Sequence, residues 1–141
     1  MKRDPVDLAA RALAQRDRSR RELDERLERA GVAEQARARA IETLERIGYV
    51  DDRRFALTRA RSLAARGFGD AAILHDLAGR GIEGDAAAPA LGELEPERER
   101  AAALAARLGR SRRTAALLAR RGFDPDSIET ALGADVAPGA P

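Results

Sequence analysis

The chain has 141 residues, 44% apolar and only 3% aromatic, with 26 Lys and Arg against 24 Asp and Glu, a net charge of +2 and a pI near 9.8. The absence of cysteine excludes disulfides and thiolate zinc sites, and the scarcity of aromatic and β-branched residues argues against a sandwich or barrel. No apolar run reaches the roughly 18 residues of a membrane span, and the N-terminal MKRDPVDLAA carries acids and no apolar core, unlike a signal peptide, so a cytoplasmic chain with no membrane partner is expected.

In chain order, Asp4-Pro5 reads as an N-cap followed by a proline in the first helical position. Leu8, Ala9, Ala12 and Leu13 then make one apolar stripe. After a break at Asp17-Arg18, Ser19 and Glu22 form a capping box. Leu23 and Leu27 face one side of that helix, and Gly31 ends it with Val32 packing back. A third helix runs from about Ala33 to Ile47, with Ile41, Leu44 and Ile47 inward. Gly48 ends it, and Tyr49 and Val50 read as apolar plugs in the turn.

Asp51-Asp52 puts acids at the positive end of the next helix, whose buried stripe is Phe55, Ala56, Ala60 and Leu63. Gly67-Phe68-Gly69 breaks it. Ile73 and Leu77 line the following helix, closed by Gly81 and Ile82. Glu83 to Glu95 contains Gly84, Pro89 and Gly92, so only a short helix is expected there. Pro96 reads as the first residue of a helix with Ala101, Leu104 and Leu108 inward. Arg110-Ser111 starts another, with Leu117 and Leu118, ending at Gly122-Phe123. Asp124-Pro125 caps a last helix with Ile128 and Leu132, and GADVAPGAP reads as a frayed tail.

The glycines at 31, 81 and 122 reveal a repeat. Eighteen residues before them stand Leu13, Leu63 and Leu104; fifteen before, Arg16, Arg66 and Arg107. Eight before stand Leu23, Ile73 and Thr114; four before, Leu27, Leu77 and Leu118. One after stand Val32, Ile82 and Phe123; ten after, Ile41, Leu91 and Leu132. The expected fold is all-α: a tandem array, elongated or curved, of three three-helix repeats spanning 4–47, 51–94 and 96–133, with a flexible tail over 134–141. Units this small bury little alone and must stack on their neighbours.

Catalytic signatures are missing. His75 lies on the solvent side of its helix, and Ser19, Ser62, Ser111 and Ser127 have no His partner pattern. Asp51-Asp52 fits capping better than a metal, and neither GFG nor GRG has the context of a phosphate loop. No enzyme, cofactor or metal is expected.

Arginine carries nearly all the positive charge, Lys2 being the one lysine. Arg pairs bidentately with phosphate and carboxylate, although genomic base composition also explains an Arg bias. From Glu95 to Gly122 eight Arg face three Glu, so the C-terminal third is the expected polyanion-facing part. Arg16, Arg18, Arg20 and Arg21 gather at one helix–helix turn; Arg110, Arg112 and Arg113 occupy the corresponding turn of the third unit, with no acid within four residues. Arg53, Arg54, Arg59, Arg61 and Arg66 run along the helix between. Arg26 and Arg29 are instead expected to pair with Glu22 and Glu25 one helical turn away. The candidate contact set is Arg16, Arg18, Arg20, Arg21, Arg53, Arg54, Arg66, Arg107, Arg110, Arg112, Arg113, Arg120 and Arg121. With so few aromatics, base stacking is not suggested.

The strings RDRSRRELDERLERAGV, LERIGYVDDRRFALTRARS, RGFGDAAILHDLAGRGI and RRGFDPDSIETAL resemble the RecX regulatory proteins of bacteria, over roughly residues 8–133. The resemblance implies a non-catalytic regulator of the recombinase RecA. It would lie along the groove of the RecA filament on single-stranded DNA and inhibit ATP hydrolysis, filament growth and strand exchange, and so modulate recombinational repair and the SOS response. A monomer is expected. The family's signature maps onto Ser19, Glu22, Leu23, Leu27 and Gly31, then Gly67, Gly69, Ile73, Leu77 and Gly81, then Arg120, Arg121, Gly122 and Phe123. Two departures stand out. Asp70, Ala71 and Ala72 occupy positions where the family carries basic residues, and the apolar-poor Gly84–Gly92 segment predicts loose packing between the second and third units.

Two rival readings remain open. Each helix–Gly–helix step also looks like a helix-turn-helix, which would make a stand-alone DNA-binding protein, though three units in one chain lack the dimeric half-site logic of that class. The other is a protein-interaction scaffold of the helical-repeat type.

Overall fold

The computed structural model describes residues 4–134 and 136. The expected tail lies almost wholly outside them. Helices α1 (Pro5–Gln15), α2 (Arg20–Arg29) and α3 (Glu34–Arg46) form the first unit; α4 (Asp52–Ala65), α5 (Asp70–Gly79), a 3-10 turn (Gly84–Ala86) and α6 (Ala88–Gly92) form the second. The third consists of α7 (Glu97–Leu108), α8 (Arg112–Arg120) and α9 (Pro125–Leu132), and no strand occurs among the described residues.

Local signals set the helix ends. Ser19 Oγ accepts from the Glu22 N–H while Glu22 Oε1 accepts from the Ser19 N–H, a closed capping box. Asp4, Asp51, Ser111 and Asp124 cap four other helices through their side chains. Asp51 therefore serves as a cap, as expected. Each such cap contributes about 1 kcal/mol. The second helix of every unit stops in the same way: Gly31, Gly81 and Gly122 sit at φ +84°, +87° and +86°. The next residue donates its N–H to a carbonyl five back (Val32 to Leu27, Ile82 to Leu77, Phe123 to Leu118, at 3.0, 2.9 and 3.0 Å).

Three separate apolar cores follow. The first joins Ala9, Ala12, Leu23, Leu27, Ile41, Leu44 and Val50. The second joins Phe55, Ala56, Ala60, Leu63, Ile73, Leu77 and Ile82, completed by Ala87 and Ala90 of the short α6. The third joins Ala101, Ala105, Ala115, Leu118, Phe123, Ile128 and Leu132. In each unit the first helix packs on the third. The fold is all-α, three three-helix repeats in tandem.

Four expectations at helix ends need correction. Ile47 is 59% exposed, because α3 has already ended and Gly48 turns the chain away from the core. Tyr49 is 58% exposed, so Val50 alone plugs the turn. Leu108, the last residue of α7, is 46% exposed; Ala101 and Ala105 take its expected place in the core. Pro96 is the N-cap of α7, one residue outside the helix.

Candidate polyanion-binding surface

The interfaces between units decide which arginines remain available. At the first joint the N-terminus of α2 meets the C-terminus of α5. Ser19, fully buried, donates its hydroxyl to the Arg80 carbonyl at 2.6 Å. The Arg20 N–H donates to Asp52 Oδ1 at 2.8 Å, and Arg21 Nη2 to the Gly79 carbonyl at 2.5 Å. Arg80 Nη1 returns to Glu22 Oε2 at 2.9 Å. A Cβ at Gly81 would lie 2.6 Å from Arg21 Cβ, so only glycine fits there.

The second joint repeats the first with different atoms. The N-terminus of α5 meets the C-terminus of α8: the Gly69 N–H donates to the Arg121 carbonyl at 2.7 Å, and Ala71 N–H to the Gly122 carbonyl at 3.3 Å. The Asp70 N–H donates to Glu97 Oε2 at 2.7 Å, Glu97 standing first in α7 as Asp52 stands first in α4. Glu97 Oε1 also accepts from the Asp124 N–H and the Ser127 hydroxyl, at 2.9 and 3.0 Å. Arg100 pairs with Asp70 and donates to the Phe68 carbonyl. The second and third units are thus joined by hydrogen bonds and a close main-chain approach, while among the described residues no apolar core spans them, in keeping with the loose packing expected from the sequence. Gly84–Gly92 is indeed thin, but docking runs through Gly69 and Gly122 instead. Asp70 is part of that docking: burial pushes its carboxyl up, and Arg100 offsets this only in part.

The second unit carries a network that sequence reasoning missed. Asp76 accepts from Arg59 Nε and Nη2 and from Arg80 Nε, each at 2.9 Å. The Arg59 hydrogen bonds, with help from Arg80, hold its carboxyl down at about 2. A lowered carboxylate pKa stabilises the fold above the ordinary value and loses that contribution as pH falls toward 2. Asp76→Asn is expected to cost about 1 kcal/mol at neutral pH, allowing for solvent screening. In urea unfolding curves the gap between variant and parent should close as the pH approaches 2.

The candidate arginines divide into two groups. One group serves the fold and contains all four candidates of the first unit, with Arg54 and Arg121. Arg18 is 7% exposed, donates Nε to the Ala12 carbonyl at 3.1 Å and so tucks under α1; burial and then Arg16 lower its pKa. Its place in a free cationic turn is thereby corrected. Arg20 pairs with Glu45, and Arg21 is committed to the joint and to Glu25. Arg16 lies 3.6 Å from Glu22. Arg54 donates to the Gly48 and Tyr49 carbonyls and lies 3.7 Å from Asp17. Arg121 is half-buried over the Phe68 ring. The expected Glu22–Arg26 and Glu25–Arg29 pairs do not form, because the joint takes Glu22 and Arg21 takes Glu25.

The other group is exposed and, among the described residues, has no carboxylate within 4.0 Å: Arg53, Arg66, Arg107, Arg110, Arg112, Arg113 and Arg120. Arg66 caps the C-terminus of α4 and Arg107 lies in the last turn of α7, and Arg61 and Arg107 line a cleft of about 340 Å³ with Leu94, Arg100 and Leu104. Of the candidate arginines, the free ones thus belong to the second and third units, while Arg11, Arg29, Arg39 and Arg46 of the first unit are likewise exposed without such a carboxylate. Guanidinium groups without internal carboxylates are poised for phosphate or acidic side chains.

Comparison with known proteins fits this architecture. The family model described as "RecX, second three-helix domain" matches residues 51–91. The regulatory protein RecX of Xanthomonas campestris pv. campestris (strain B100) is 35% identical over 142 residues, covering 94% of this chain and 88% of that protein. The regulatory protein RecX of Stenotrophomonas maltophilia (strain R551-3) is 36% identical over 141 residues, covering 93% and 86%. The crystal structure of RecX from Lactobacillus salivarius superposes with a TM-score of 0.80 at 21% identity, covering 94% of both chains.

Proposed function

We propose a function from one premise: this chain belongs to the RecX family of regulatory proteins. The family is non-catalytic, and its name ties it to regulation of RecA. In our reading the protein binds the RecA filament on single-stranded DNA in the cytoplasm. There it inhibits ATP hydrolysis, strand exchange and filament growth, and so modulates recombinational repair and the SOS response. One chain is the binding unit, with its repeats taken as 4–47, 51–94 and 96–133.

The observation that supports this reading is the set of candidate arginines in the second and third units that are exposed and without internal carboxylates: Arg53, Arg66, Arg107, Arg110, Arg112, Arg113 and Arg120. A partner that presents phosphates and acidic side chains along a line meets that set with complementary charge. The helix-turn-helix alternative is weaker, because α6, where a second recognition helix would stand, has only five residues.

The test is the triple substitution Arg66→Ala, Arg107→Ala and Arg110→Ala. About tenfold more of the variant should be needed to inhibit RecA ATP hydrolysis on single-stranded DNA, and its inhibition should depend less steeply on salt. Unchanged inhibition by a variant with parental helix content would remove these arginines from the mechanism.

A further inference from the structure

Both joints use one directional contact. The N-terminus of a second helix sits on the C-terminus of the next unit's second helix. In each, the N-cap residue donates to the carbonyl just before the glycine, Ser19 to Arg80 and Gly69 to Arg121. In each, the following N–H donates to the first acid of the next unit's first helix, Asp52 or Glu97. In each, the glycine admits the residue two or three beyond the cap, Arg21 at Gly81 and Ala72 at Gly122. α8, α5 and α2 thus follow one another with helix dipoles aligned. A contact between unlike surfaces, once repeated, leaves one of each unsatisfied.

The unused halves are identifiable. The string Arg-Ser-Arg-Arg occurs twice, at 18–21 and at 110–113. The first copy fills the joint on α5. The second opens α8, where Ser111, Arg112 and Arg113 are exposed; among the described residues the Ser111 hydroxyl bonds only within its own cap, to Thr114. At the other end, Gly31 closes α2 as Gly81 closes α5, but a Cβ on it would meet nothing within 4 Å, and Ala30 is exposed. The acids Asp4 and Asp7 at the start of α1 are exposed as well.

We infer that copies of this chain associate head to tail, Ser111–Arg113 of one copy docking on the Ala30–Gly31 end of another. By the pattern of the first joint, Ser111 Oγ donates to the Ala30 carbonyl, and Arg113, standing where Arg21 stands, donates to the Arg29 carbonyl. Inside one chain such contacts benefit from tethering. Between free copies they must offset the entropy of association, so dilute copies stay single. Copies aligned on a common linear support are tethered again, and the same small contact then makes their binding cooperative.

The chain has no cysteine, which makes thiol crosslinking unambiguous. Ala30→Cys and Arg112→Cys, made in separate chains, leave the proposed hydrogen-bonding groups in place. The two variants are mixed at about 1 mM, an effective concentration typical of tethering, without RecA or DNA, and treated with a short bis-maleimide. The mixed dimer should exceed both self-crosslinked dimers severalfold, and adding Arg113→Glu to the Arg112→Cys chain should abolish the excess. Arg39→Glu, on the exposed side of α3, should leave it unchanged. A statistical mixture of the three dimers, an excess of either self-crosslinked dimer, or no crosslinking would overturn the inference. None of these outcomes depends on filament binding.

Discussion

Gly69→Ala should lower the unfolding free energy by about 3 kcal/mol, the upper part of the range for overpacking. Gly69 lies at φ −85°, which alanine adopts without strain, so the whole loss reports on space. A Cβ there would fall 2.5 Å from Gly122 C and Phe123 N and 2.6 Å from Gly122 O. All three are main-chain atoms of the third unit, and none can rotate aside. To relieve the contact the joint must open, which strains the 2.7 Å bond from Gly69 N–H to the Arg121 carbonyl. Gly31→Ala supplies the comparison. It forces a side chain into φ +84° with open space around it, so only the left-handed conformation is penalised, by about 1 kcal/mol. Urea unfolding of the two variants separates docking from backbone conformation. Equal losses would show that Gly69 is not held against the third unit.

The two serines that open Arg-Ser-Arg-Arg helices should differ in the same sense. Ser19→Ala removes a cap, about 1 kcal/mol, and leaves the part-buried Arg80 carbonyl without its donor, about 1 kcal/mol more. Ser111→Ala removes only a cap on an exposed turn, about 1 kcal/mol. Thermal unfolding should therefore rank Ser19→Ala well below Ser111→Ala in stability. A reversed order would mean that the first joint contributes little to the folded state.

What could be read from the sequence follows from the range of the interactions involved. Caps and glycine stops act within four or five residues, so Ser19–Glu22, Asp51, Ser111, Asp124 and the three glycines were all legible. The apolar stripe of α4 was legible because a helix of fourteen residues keeps its phase. Phase fails at helix ends, which is why Ile47 and Leu108 were expected inside and lie outside. The arginines were harder. A guanidinium at the end of a long side chain takes its partner from whatever element packs nearby, and Arg18, Arg20 and Arg54 found carbonyls and carboxylates that periodicity does not encode. Gly-Phe-Gly read as a simple break, because the need for Gly69 comes from Gly122, far along the chain. The small residues Ala71 and Ala72 just after it were the available hint of a close approach.

The three cores share no residue, and among the described residues no hydrogen bond or ion pair joins the first unit to the third. Nothing buried in residues 9–50 therefore waits for residues beyond the second unit. During synthesis the first three helices can collapse as soon as they clear the ribosome, and each later triplet arrives at a template already set. Short loop closures make such vectorial assembly fast.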